Sequence, residues 1–278
     1  MINFYIPCLI CEKETGAPNF VFKQEVLNDE FCFLSTCSNG HKSITVLQNE
    51  RFQLLFDMAC NAYLNGDYKD SVANAASAVE RFHEFFIKVV SLNPFTESQE
   101  LYYQQYNRFM KTWKNVDNQT ERQTGGFLIL YFCAFQALPP KYLDNNTSGF
   151  RNKVIHKGYL PKQKESFEYL EKSYMYMIEI IDSLRAKYDE SIVCLSLCEN
   201  RIKAEKMNSV LNLPVQTFAA NSVINLNGTI KELRNTNFET ALKNYSDMKK
   251  MMENVEKLGK FNSVFAQLFK NKSKNIKS

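Results

Sequence analysis

At 278 residues and 45% hydrophobic content the chain can bury a substantial core, which excludes disorder as its main state. Glycine (9) and proline (7) are scarce, so a turn-rich all-β architecture is excluded as well. A net charge of +4, from 34 basic and 30 acidic residues, is too mild to announce a nucleic-acid partner by itself, so that question passes to the local distribution of charge.

Met1 to Ile10 is largely apolar, but it lacks a basic leader and already holds Cys8, so it does not read as a cleavable signal peptide. Residues 1–48 carry Pro7, Pro18, Gly16 and Gly40, with β-favouring stretches at Asn19–Phe22, Phe31–Thr36 and Ser43–Leu47. They are predicted to form a small β unit. Cys8, Cys11, Cys32, Cys37 and His41 place five potential metal ligands in this segment. A Cys-x2-Cys pair turns both sulfurs toward one ion, and a Cys-x3-His pair further on can close a tetrahedral zinc site. The preferred ligands are Cys8, Cys11, Cys37 and His41, with Ser38-Asn39-Gly40 as the second turn and a zinc-ribbon-like hairpin between the pairs. Cys32 competes for a place, although its alternating run suits it to a small core. Without an ion the same cysteines would form a buried thiol cluster. Four protein ligands leave no position for a catalytic water, so the Zn2+ is expected to be structural.

From Asn49 the texture turns helical. Glu50–Leu64 and Tyr68–Leu92 place apolar residues at three- and four-residue intervals, with Asn65-Gly66-Asp67 as the turn between them. Val72, Ala76, Val79, Phe82, Phe86 and Val89 (or Val90) form a stripe whose alanines permit close approach of a neighbour. Glu97–Asn115 is a more polar helix, and Glu121–Leu138, apolar on all sides over Phe127–Phe135, is predicted to be buried. That apolar run of nine residues is too short to span a membrane. Asn145–Gly149 reads as a turn. After Pro161 the pattern resumes over about Glu165–Tyr188, with Phe167, Leu170, Tyr174, Met177, Ile178, Ile181 and Leu184 on one face. The expected architecture is therefore mostly α. It has a β zinc unit at 1–48, an up-and-down bundle at 49–188 and a mainly helical extension of unassigned role at 189–278. In the extension Ser191–Leu211 and Asn237–Leu268 read as helices and Pro214–Leu226 as a strand-like or irregular connection. The basic end, Lys270–Ser278, reads as a frayed tail that could also touch a polyanion. Cys194 and Cys198, one helical turn apart, read as core packing.

Between Asp144 and Glu165 no acidic residue occurs, while Arg151, Lys153, Lys157, Lys162 and Lys164 are basic. A stretch of this kind attracts a phosphate backbone without regard to sequence; the plainer reading of the lysines is a solvated helix end. Within it, Arg151-Asn152-Lys153-Val154-Ile155-His156 resembles the Arg-polar-x3-His signature of HEPN-type ribonucleases, which lies near the last main helix of a helical bundle. The run from Gly66 to Glu80, with its turn, small residues and acidic position, is similar to the second helix of that family. The resemblance covers about residues 49–188.

The resemblance implies a metal-independent endoribonuclease, a toxin or antiviral defence effector. The 2′-oxygen of RNA attacks the adjacent phosphate and leaves a cyclic phosphate and a 5′-hydroxyl. His156 is then the base near neutral pKa that takes the 2′-hydroxyl proton, and Arg151 the fixed cation that stabilises charge on phosphorus. Asn152 orients the phosphate or the histidine, and Lys153 and Lys157 bind the RNA backbone. Five residues along a helix turn by about 140°, so one chain does not align Arg151 with His156 on one straight face. The resemblance meets this with a homodimer whose two motifs line one cleft. Glu80 could hold Arg151 in place, and His83 reads as a core histidine satisfied by a hydrogen bond. The partners implied are RNA, a second copy and, for a toxin, an antitoxin or regulatory protein. No membrane is implied, and eight cysteines with no secretory leader suit a cytoplasmic setting. The alternative is a noncatalytic HEPN and zinc-ribbon binding or dimerisation module.

Overall fold

The computed structural model describes residues 2–16, 19–25, 29, 31–117, 119–141, 145–226, 228–229, 232 and 235–257. It is mostly helical, with small sheets near the N-terminus, and its residues group into two compact units. The first gathers 1–48 with 199–220 and 245–278, and the second 49–198 with 221–244. Of the described residues beyond 188, 199–220 and 245–257 group with the first unit and the others with the second. The basic segment Lys270–Ser278 and the predicted helix beyond Lys257 lie outside the described residues.

In the first unit β1 (Ile2–Cys8) pairs antiparallel with β2 (Asn19–Glu25), Cys8 opposite Asn19 and Ile6 opposite Val21. Between them lies the short helix α1 (Leu9–Thr15), stopped by Gly16 in the left-handed conformation (φ 73°), whose N–H bonds back to the Glu12 carbonyl. A helix therefore begins within the first cysteine pair and carries Cys11, where the sequence suggested a direct run into a hairpin. β3 (Cys32–Thr36) and β4 (Lys42–Leu47) form a second antiparallel pair, and β5 (Val215–Phe218) joins β4 in parallel with Ile44 opposite Val215. The strand-like stretch after Pro214 thereby completes a sheet begun about 170 residues earlier. Gln216 on β5 ties the two sheets together: its Nε2 donates to the Pro7 carbonyl and to Thr45 Oγ1 (both 3.0 Å), and its Oε1 accepts from the Leu9 N–H. Cys32 packs with Ile44 and Val46 beneath Ala204, Met207 and Leu213, apart from the other cysteines.

The second unit is built on α2 (Arg51–Leu64) and α3 (Tyr68–Leu92), joined by the predicted turn at Gly66. Glu50 and Gln53 form a capping box that starts α2. Phe52 meets Phe82 and Phe85 with ring centroids 5.1 and 5.2 Å apart, and the stripe from Val72 to Val89 is buried. A short 3-10 turn (Asn93–Phe95) leads to α4 (Gln99–Trp113), α5 (Thr120–Phe135), α6 (Asn145–His156) and α7 (Gln163–Leu211). α7 runs through the expected boundary with a kink at Tyr188 (φ −131°, ψ 24°). α8 (Phe238–Lys257) follows, and its Phe238 packs against Phe56, Phe167 and Tyr174. No described helix is long and apolar enough to cross a membrane.

Two expectations are corrected. α5 is not buried on all sides: Phe127 and Tyr131 meet Phe86 of α3 and Ala134 is buried, while Ile129 is 68% and Phe132 60% exposed. The side turned to α3 and to Tyr176 and Tyr188 is buried, and the far side meets no neighbour among the described residues, however apolar it is. Residues 145–149 are helical rather than a turn. Phe150 against Tyr169 and the buried Thr147 and Val154 anchor α6, and this packing outweighs the weak helix propensity of Gly149.

Asp57, in the core of the second unit, accepts from the Val223 N–H (2.9 Å) and Ser222 Oγ (3.0 Å), while Gln53 Nε2 donates to the Ile224 carbonyl. Burial pushes its carboxyl up to about 8 against the pull of the two donors. An unfolded aspartate titrates near about 3.9, so between about pH 4 and about pH 8 the unfolded chain releases a proton that the native state keeps. Stability from this group is therefore full below about pH 4 and is lost as pH rises through about 8. Asp57→Asn keeps both accepted bonds without the titration. Thermal melts should show wild type losing ground to Asp57→Asn between about pH 5 and about pH 8. A constant gap between the two would contradict the assignment.

Candidate functional site

The Cys8, Cys11, Cys37 and His41 side chains, from the end of β1, the first turn of α1 and the β3–β4 turn, converge in the first unit. Their ligand atoms all lie within 4.8 Å of one another. Cys11 Sγ is 3.7 Å from Cys37 Sγ, and His41 Nδ1 is 3.3 Å from Cys11 Sγ and 3.8 Å from Cys8 Sγ. A tetrahedral zinc-sized ion, bonded at about 2.3 Å to sulfur and about 2.0 Å to nitrogen, has S···S edges of about 3.8 Å and S···N edges of about 3.5 Å. The donor set fits such an ion, and among the described residues it is the one Cys/His/acid group that could hold a metal.

The β3–β4 turn also conditions the sulfurs. The Cys37 N–H bonds to the His41 carbonyl and the Gly40 N–H to the Cys37 carbonyl, with Gly40 at φ 82°. Burial raises the Cys37 thiol, but backbone donors from His41 and Asn39 outweigh it and bring the group down to about 7. Cys11 moves the other way, up to about 11, through burial and its contacts with Cys37 and Cys8. Two side chains that sequence reasoning did not single out complete the setting. Asn39 Nδ2 donates to Cys11 Sγ (3.4 Å), and Glu14 Oε2 lies 3.4 Å from His41 Nε2. The signal for Glu14 was its spacing three residues after Cys11, readable only once α1 is known to be a helix.

Arg151, Asn152, Lys153, His156 and the start of the following loop lie in the second unit. Val154 is fully buried, and at 100° per residue Asn152 and His156 sit together on the opposite, exposed face of α6, one turn apart. Arg151 lies at the edge of the buried face. Its guanidinium pairs with the Glu80 carboxylate of α3, both side chains being about one-quarter to one-third exposed, and reaches Asn152 Oδ1 at 3.4 Å. Glu80 is the acid that the local sequence window lacks. Lys153 and Lys157 are exposed beside His156.

Gly158, at φ 69°, reverses the chain after α6, and the Lys153 carbonyl accepts from both the Lys157 and Tyr159 N–H groups. Glu165 then pins the loop: it accepts from the Tyr159 hydroxyl (2.9 Å) and the Lys162 N–H (2.8 Å). Those bonds hold the Glu165 carboxyl below its ordinary range. The basic segment is thus a fixed element of the surface.

The other candidates are structural. His83 is buried, stacks on Phe127 at 4.2 Å and bonds through Nε2 to the Tyr176 hydroxyl, and burial lowers its pKa to about 3. It is a neutral core residue. Cys198 is buried, and Cys194 is half-buried with its Sγ toward the Thr96 carbonyl. Comparison of the chain with family models, curated proteins and solved structures finds no match.

Proposed function

We propose that the chain is a metal-independent endoribonuclease of the HEPN type, acting as a toxin or antiviral defence effector. The observation that carries this reading is the division of labour on α6. Arg151 is steered by Glu80, while Asn152 and His156 are presented together to solvent. An arginine fixed by a carboxylate is a preorganised cation for a phosphorane, and an exposed imidazole can reach a 2′-hydroxyl. His156 takes that proton, the 2′-oxygen bonds to phosphorus, and the 5′-oxygen leaves and takes up a proton. The products are a cyclic phosphate and a 5′-hydroxyl. Asn152 orients the phosphate or the ring, and Lys153 and Lys157 hold the RNA backbone.

Arg151 and His156 diverge by about 140° around α6, so the reading requires a homodimer in which Arg151 of one copy works with His156 of the other. The exposed Leu128, Ile129 and Phe132 of α5 offer apolar surface in the same unit. The test is complementation. Arg151→Ala and His156→Ala chains, each inactive alone, are unfolded together, refolded and assayed on RNA. Random pairing should restore about a quarter of wild-type activity, because half the dimers then hold one intact composite site out of two. No recovery in a sample shown to contain mixed dimers would overturn the shared cleft.

We further propose that the ion suited to Cys8, Cys11, Cys37 and His41 is zinc in a structural role. Three thiols and an imidazole are the donor set that zinc favours, and when bound it cross-links β1, α1 and the β3–β4 turn.

A further inference from the structure

We propose that Glu14 is the positioning residue of the metal centre, fixing His41 as an Nδ1 ligand whose Nε2 proton is held by the Glu14 carboxylate. The inference rests on the reading of the cluster as a zinc site. The ring is oriented with Nδ1 inward, 3.3 and 3.8 Å from two sulfurs, and Nε2 outward, 3.4 Å from Glu14 Oε2. A neutral imidazole carries one N–H, so a ring that gives Nδ1 to a metal must carry its proton on Nε2. That is the atom facing the carboxylate.

Charge supports the same assignment. Three thiolates around a divalent cation leave a net charge of about −1, and a carboxylate beside such a centre is repelled unless a proton stands between them. The Nε2–H is that proton. The opposite side of the cluster already has its donors: Asn39 Nδ2 on Cys11, and the backbone of Asn39 and His41 on Cys37. Glu14 reaches the ring because α1 places it one turn beyond Cys11, and α1 ends two residues later at Gly16. Helix α1 thus carries one ligand and the support of another.

The test uses the full chain. Metal content of purified wild type is measured first, then NMR of nitrogen-labelled protein loaded with spin-active cadmium, a tetrahedral thiolate-site substitute. Through-bond coupling should appear at His41 Nδ1 and not at Nε2, with a slowly exchanging Nε2 proton. Chelator competition with zinc should show Glu14→Ala weakened roughly 10–100-fold. Glu14→Gln, which keeps an acceptor without the charge, should fall between. Glu12→Ala, on the same helix but away from the ring, should match wild type and so separates ring support from helix stability. Coupling at Nε2, or Glu14→Ala indistinguishable from wild type, overturns the role of Glu14 while leaving a zinc site intact. A wild-type chain that takes up no zinc overturns the metal reading itself, and this inference with it.

Discussion

Replacing His156 by alanine is expected to lower RNA cleavage by about 10²–10⁴-fold while leaving the melting temperature unchanged. The fold should not respond, because His156 is exposed at the last position of α6 and the contacts that anchor this helix belong to Thr147, Phe150 and Val154. Surface substitutions of that kind stay within about 0.5 kcal/mol. The catalytic loss is that of a proton acceptor, which alanine cannot replace. Arg151 makes a less clean comparison, since Arg151→Ala strands the half-buried Glu80 carboxylate and costs stability as well as activity. Arg151→Lys keeps the charge but gives up the planar fork, so it should fold better than Arg151→Ala and remain strongly impaired. Initial rates on a short RNA, with thermal melts of the same samples, check all three. Full activity in a folded His156→Ala chain would remove the histidine from the mechanism.

Loss of the metal is expected to unfold the β1–α1–β2 region and leave the helical unit standing. Cys8, Cys11 and Cys37 form the cluster that joins α1 to the β3–β4 turn, with Ile10 and Val21 packed against it, while Phe4, Tyr5 and Ile6 of β1 are buried as well. Helix α1 buries Cys11 alone and cannot offset the entropy of its own ordering, and zinc sites of this type contribute on the order of 10 kcal/mol to folding. Cys11→Ser should abolish stoichiometric zinc binding and remove the slow amide exchange of β1 and β2. Amides of α3 should keep their protection, since they depend on Phe52, Phe82, Phe85 and Phe86. Hydrogen exchange resolved by peptide reads both at once. Cys32→Ser should retain zinc, because Cys32 packs with Ile44 and Val46 instead. A Cys11→Ser chain protected throughout would show that the site carries no folding energy.

The helices of the second unit were legible because their apolar residues recur at helical intervals. α3 begins and ends where the pattern does, and the break near Tyr188 survives as a kink. The cluster of Cys8, Cys11, Cys37 and His41 was legible because Cys-x2-Cys and Cys-x3-His are local spacings. What sequence reasoning missed depends on pairing at a distance. β1 was hidden because its partner β2 lies beyond a helix, and the partnership of β4 with β5 spans about 170 residues without a local signal. α6 was misread at Asn145–Gly149, where Gly149 weakens the local preference and tertiary packing by Phe150 decides. The exposed side of α5 was misread because nine apolar residues in a row carry no periodicity from which to infer a single buried face. Arg151 and His156 were readable as a spacing and Glu80 as the acid that could hold Arg151, whereas the shared exposed face of Asn152 and His156 became readable once residues 145–156 were known to be one helix.

The most direct measurement is the chemistry of the ends left on RNA by the purified protein, with magnesium withheld and zinc content verified before and after. Cleavage without magnesium to a 2′,3′-cyclic phosphate and a 5′-hydroxyl is expected, absent from the His156→Ala sample. Intact RNA, 3′-hydroxyl and 5′-phosphate ends, or a strict requirement for magnesium would contradict it.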